Sequence, residues 1–436
     1  MKNILKLFVK GILTTIPLWG VIAYLYLFPM NYMDGEYPYW KANKDFISST
    51  EEENYYSTLI LGDSVPNGGL KESLLSNRVY NLAVGGMKPV ETYYEMMKYL
   101  KNHEKPKSVF IAYAPFHFTT NDCWTARTLY FNYLSFHDAK EVNDLSRQLE
   151  DDLFYSDEIN QDLYSYRLRR PDKYLPALFN GNFDGRKQSN TEGYNKTLSH
   201  NGTYVGVGND NHSNHDPQSL SNIDSFQVDP VNDIYYNKLI NLLTDNNIDT
   251  YIIQCPFKES CYDEIKPEVY KEFWDYFKNI KNKHPDVIMD MDAFILPDNC
   301  FIDAAHLNYY GSARWCHYLS EKYPDIAAST ETIEEKAKRL ASFIDESQTL
   351  EALLEAAQDE SLDVKLWASD DSNINTDENI SKLLRNTRYT ALKKPNVDAN
   401  GDVPLIQAQI YIQGTSEKLT EKNYTIDKSD AIVHSY

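Results

Sequence analysis

Two short blocks of the 436-residue sequence carry side chains that could do acyl chemistry together: Gly62-Asp63-Ser64 and, far downstream, Asp303-Ala304-Ala305-His306. A serine hydroxyl is a weak nucleophile until an imidazole takes its proton. The imidazole in turn is best held by a carboxylate that fixes its tautomer and stabilises the imidazolium. Ser64, His306 and Asp303 supply those parts. An aspartate three residues before a histidine can reach Nδ1 from the same loop, which leaves Nε2 for the serine. Gly62 permits the tight turn that would expose Ser64. Each block alone has a plainer reading, as a strand-ending turn or a helix-capping loop. It is their order and their flanking elements that join them.

Those flanks read as alternating strands and helices. Residues 56–61 form a short apolar, β-branched run that ends at Gly62, and a second strand at 78–82 ends at Gly85-Gly86. Pro89 opens a helix that runs to about Asn102, and residues 108–114 form a third buried strand. The alternation resumes with a helix over 231–244, a strand over 250–254, a helix over 267–282, a strand over 287–289 and a closing helix over 307–323. This pattern predicts an α/β fold with a doubly wound, mostly parallel sheet, whose sites form outside the carboxyl ends of the strands.

At these residues the chain resembles the GDSL or SGNH hydrolases over about residues 55–325. In that family a Gly-Asp-Ser block follows the first strand and an Asp-x-x-His block precedes the last helix. The resemblance implies Ser64 as nucleophile, His306 as base and Asp303 as its support. It also implies an oxyanion hole made by the amide of Ser64 and that of Gly85 or Gly86, with Asp63 as an auxiliary residue. One departure stands out. The family places a Gly-x-Asn-Asp block after the third strand, and here that stretch reads Ala112-Tyr113-Ala114-Pro115-Phe116-His117. His117 and Asn121 are the candidate replacements for the missing donor. The same loss is similar to membrane-anchored envelope acylation proteins of the alginate O-acetylation and teichoic acid D-alanylation types. Their likeness implies a multi-span membrane-bound O-acyltransferase as partner.

Composition sets the surroundings. With 43 Lys and Arg against 64 Asp and Glu the net charge is −21, which disfavours nucleic acid. Residues 11–30 hold no charge, long enough to span a bilayer, with Lys2, Lys6 and Lys10 before them and Asp34 and Glu36 after. A single-pass anchor with a cytoplasmic N-terminus and an exported body is expected; a cleaved signal peptide is the rival. Residues 31–54 read as a polar stalk, about 115–230 as an insertion, and 326–436 as an acidic helical linker followed by a small α+β module that binds a partner or polymer. Within the insertion, 188–226 reads as exposed loops or a lid. Arg167, Arg169, Arg170 and Lys173 form its basic patch, and otherwise the charge favours a neutral or zwitterionic glycan. His200, His212 and His215 lack ligand spacing, so no metal or cofactor is expected. The five cysteines are either buried thiols or partly paired, Cys255 with Cys261 or Cys300 with Cys316. The function expected is a serine esterase or O-acyltransferase acting on an envelope glycan or teichoic-acid-like polymer. The rivals are a non-catalytic scaffold that recruits the acyltransferase and a lipid esterase close to the membrane.

Overall fold

A computed structural model describes residues 2–27, 34–50, 55–120, 123–165, 183–204, 219–368, 382, 384–385, 387, 389–391, 406–426 and 433–435. Its centre is a five-stranded sheet of β1 (Thr58–Gly62), β2 (Val79–Asn81), β3 (Ser108–Ala112), β4 (Asp249–Ile253) and β5 (Ile288–Asp290) in the order β2-β1-β3-β4-β5. All four pairings are parallel. Strands β1 and β3 are wholly buried, as their unbroken apolar runs require of a sheet covered on both faces. This order reverses direction between β1 and β3, which makes their carboxyl ends the crevice where ligands bind in open α/β sheets. Among the covering helices are Pro89–Asn102, Pro230–Asp245, Pro267–Lys283 and Tyr309–Lys322, the first three opened by a proline whose fixed φ suits the first turn.

Three expectations need correction. The segment read as a stalk folds into a helix, α2 (Tyr37–Ser48), which follows the N-terminal helix α1 (Lys2–Leu27) and belongs to the body. Trp40 is buried edge-on to Tyr133, Phe46 stacks on Tyr80, and Asn43 Nδ2 donates to Leu82 O at 2.6 Å. The polar residues between these aromatics conceal an amphipathic face. The region read as exposed loops or a lid begins inside another helix, Phe183–Ser199, laid against α2: Asn190 Nδ2 donates to Asp34 O and Tyr194 Oη to Asp45 Oδ2. The chain then turns along the open edge of β2, where Asn81 N donates to Asn201 O at 2.8 Å. Gly202 has φ +83°, and a Cβ there would lie 2.1 Å from Asn81 O.

The acidic segment read as a helical linker is a helix as expected, Ile333–Glu346, but it is packed into the core and is not a linker. Its Leu340, Phe343 and Ile344 share one apolar cluster with Trp315 and with the C-terminal sheet. Arg339 Nη1 donates to the carbonyls of Glu72 and Ser73, which locks the helix to the body. That second sheet contains Leu362–Ala368, Tyr389–Ala391, Ile406–Ile412, Lys418–Ile426 and Val433–Ser435, the last two strands not foreseen from sequence. All five cysteines are buried thiols, so neither expected pairing forms. Among the described residues no helix is long and apolar enough to cross a membrane. Several expected features lie outside the described residues: the end of the span at 28–30, the basic patch, Asn121, His212 and His215.

Candidate active site

The turn after β1 can be made only by glycine. Gly62 has φ +148°, and a Cβ would stand 1.8 Å from Ala112 O. Asp63 then caps the six-residue helix Ser64–Gly69: Oδ1 accepts from Val65 N at 2.8 Å, and Oδ2 accepts from Ala114 N at 2.6 Å. One carboxylate thus ties the end of β1 to the end of β3 and presents Ser64 at the sheet edge.

Before the helix Tyr309–Lys322, the second block folds as a tight loop around Asp303. Asp303 Oδ1 accepts the amides of Ala305 and His306 at 2.8 and 2.7 Å, and Oδ2 accepts from His306 Nδ1 at 2.7 Å. Because a carboxylate only accepts, Nδ1 carries the proton and Nε2 is the acceptor. His306 Nε2 lies 2.8 Å from Ser64 Oγ. Burial pushes the Asp303 carboxyl upward, but the His306 hydrogen bond and charge and the two amides outweigh it and hold the group below the usual carboxylate range. Asp63 behaves oppositely. Its complete burial drives it up to about 6, against the Val65 and Ala114 amides and the charges of His306 and Lys88.

Of the two glycines, Gly85 fronts the serine: a Cβ there would meet Ser64 Cβ at 3.6 Å. Gly86 makes the turn, at φ +85°, and is backed by Arg127 and Cys123. Arg127 Nη1 donates to Gly85 O at 2.9 Å, holding that turn in place. Asn67 Nδ2 bridges Ala83 O and Gly202 O, so the serine helix is braced against both neighbouring loops. His117 does not line the serine's cavity. The chain after β3 folds back beneath the Asp63 turn, so His117 is buried 3.5 Å from Asp63 Oδ2, with its Nδ1 2.8 Å from Lys88 Nζ. It is therefore not placed to replace the missing oxyanion donor.

The cavity holds about 320 Å³ and is bounded by Glu36, Tyr39 and Tyr204 as well as Ser64, Asn67, Gly85, Asp303 and His306, with Val65, Ile302 and Leu307 as its apolar surface. Sequence reasoning missed Glu36, Tyr39, Asn67, Lys88 and Tyr204. Only Asn67, in Asn67-Gly68-Gly69 directly after the serine, carried a local turn signal. His200, one of three histidines in the polar stretch, pairs with Glu346 at 3.0 Å. Among the described residues there is no group of three or more His, Cys, Asp or Glu placed to hold a metal.

No curated protein matches the chain. Residues 57–323, more than half of it and the whole of the central sheet with both the Ser64 and the Asp303–His306 blocks, match the family described as "Protein of unknown function (DUF1574)", and the chain belongs to that family.

Proposed function

We propose that this protein is a membrane-anchored, extracytoplasmic serine esterase or O-acyltransferase of the SGNH type, acting on an envelope polysaccharide or teichoic-acid-like polymer. The observation that carries the reading is the hydrogen-bonded series Ser64–His306–Asp303, set at the switch point of a parallel sheet and open to a cavity. In this mechanism His306 Nε2 takes the proton as Ser64 Oγ adds to the ester carbonyl. The amides of Ser64 and Gly85 receive the oxyanion, Asp303 stabilises the imidazolium, and His306 returns the proton to the leaving alkoxide. Water would then release a free acid, and a sugar hydroxyl would complete transfer. Two oxyanion donors contribute about 3–4 kcal/mol each to such a barrier. In α1 the large apolar side chains Leu5, Phe8, Ile12, Leu13, Ile16, Leu18, Trp19 and Val21 are exposed, and three lysines precede the uncharged stretch. Both features support anchoring with the N-terminus inside. A membrane-bound O-acyltransferase would be the natural partner of the transferase form.

A serine-directed fluorophosphonate tests the chemistry. Labelling of the full chain that disappears in Ser64→Ala supports the reading. If the folded wild-type protein takes no label, or labels equally without Ser64, the acyl-enzyme is wrong and a scaffold that recruits the acyltransferase is left.

A further inference from the structure

Part of the cavity wall plays no role in the acyl-transfer steps. It is formed by Glu36 and Tyr39 at the start of α2 and by Tyr204, just after the turn that runs along the open edge of β2. Tyr39 and Tyr204 meet edge to face, with centroids 4.7 Å apart and planes at 81°. Burial together with the neighbouring Tyr204 and Glu36 holds the Tyr39 hydroxyl well above its usual range, so it remains a protonated donor. Glu36 is half-exposed. Its Oε2 lies 4.0 Å from Arg127 Nη2 and 3.7 Å from where a Cβ on Gly85 would be, which puts a carboxylate beside the serine with its charge partly answered.

We propose that Glu36, Tyr39 and Tyr204 form a saccharide subsite that seats the sugar ring carrying the ester. This rests on the esterase or acyltransferase reading above and adds which residues recognise the sugar beside Ser64. Three observations favour a polyhydroxylated ring over an acyl tail or an ammonium group. Aromatic surface with phenol tips offers C–H contact and hydroxyl partners together, which suits a ring that is apolar on its face and polar at its edge. Glu36 gives strong acceptors for sugar hydroxyls, whereas its nearby Arg127 already competes with any cationic ligand. A cavity of about 320 Å³ exceeds what a short acyl chain occupies and falls at the lower end for small-molecule sites.

The test compares kcat/KM for O-acetylated cellotetraose and O-acetylated chitotetraose with kcat/KM for p-nitrophenyl acetate, using the full chain in detergent. Wild type should prefer at least one oligosaccharide ester. Tyr39→Ala, Tyr204→Ala and Glu36→Gln should each lower the oligosaccharide to p-nitrophenyl ratio by about tenfold or more, mainly through KM. Tyr39→Phe and Tyr204→Phe, which keep the rings, should lower it by about threefold, so a general folding defect is distinguishable. No wild-type preference for either sugar ester, or equal loss on all substrates, overturns the subsite. Hydrolysis of p-nitrophenyl acetate that persists in Ser64→Ala instead overturns the reading on which the subsite rests.

Discussion

Two aspartate–histidine pairs lie on either side of the serine turn, and the same residue types have opposite arrangements in them. In the first, Asp303 holds the proton of His306 on Nδ1, and Nε2 faces Ser64 across the cavity. In the second, His117 Nδ1 faces Lys88 Nζ, and a lysine ammonium has only hydrogens to give. The His117 proton is therefore on Nε2, toward Asp63 Oδ2. One histidine is an acceptor toward a solvent-reached hydroxyl; the other is held between a buried carboxylate and a buried amine. Their carboxylates diverge as well: the His306 hydrogen bond and two amides hold Asp303 down against its burial, while complete burial drives Asp63 up to about 6. An Asp–His contact thus becomes a base only where a ring nitrogen remains available to a reacting atom. Elsewhere it is a brace.

The sharpest break of this comparison is to remove each histidine. His306→Gln should reduce ester turnover by about 10⁴-fold or more with little change in stability, whereas His117→Gln should chiefly lower stability. Turnover and urea unfolding on the same preparations check both, and equal effects would erase the distinction. Next, Asp303→Asn should cost about 10⁴-fold in kcat by favouring the wrong tautomer, with the fold retained by circular dichroism. Third, Lys88→Met, which leaves Asp63 and His117 buried without their amine, should lower unfolding free energy by about 3 kcal/mol.

The fourth prediction concerns pH. The folded value of Asp63, about 6, lies above its ordinary 3.8, so between these values the native state keeps a proton that the unfolded chain has released. The stabilisation from this group is complete below the ordinary value and is lost as pH rises toward 6, by on the order of 3 kcal/mol. Asp63→Asn should remove that slope from the unfolding free energy measured between about pH 4 and pH 6. The smallest effect is expected from Gly86→Ala, where a left-handed φ and the Cys123 and Arg127 side chains oppose a methyl group. It should cost about 1–2 kcal/mol in stability.

The sheet and the meeting of Ser64, His306 and Asp303 were legible because their signals are local. An unbroken apolar run marks a buried strand, and Gly62-Asp63-Ser64 and Asp303 to His306 each fold within a few residues. What escaped detection depends on distant partners. Trp40 and Phe46 gain their meaning from Tyr133 and Tyr80, which no window around residue 40 contains. Lys88 resembles any surface lysine until the chain after β3 brings His117 against it. Tyr204 becomes a cavity wall only because Gly202 lets its loop pass close along the edge of β2. The resemblance to hydrolases located the glycine turn but left two glycines, and Gly85 was separated from Gly86 by the direction in which an added Cβ would point.

The helix Tyr37–Ser48 also decides where this protein can be cut. A soluble version begun at residue 55, the first residue of the sequence-read catalytic body, would keep Ser64, Asp303 and His306. It would lose Trp40 from the core and Glu36 and Tyr39 from the cavity. Such a fragment would be unstable and would misreport substrate preference even where it folded. Truncation before Asp34 removes the apolar helix and keeps the cavity's own wall.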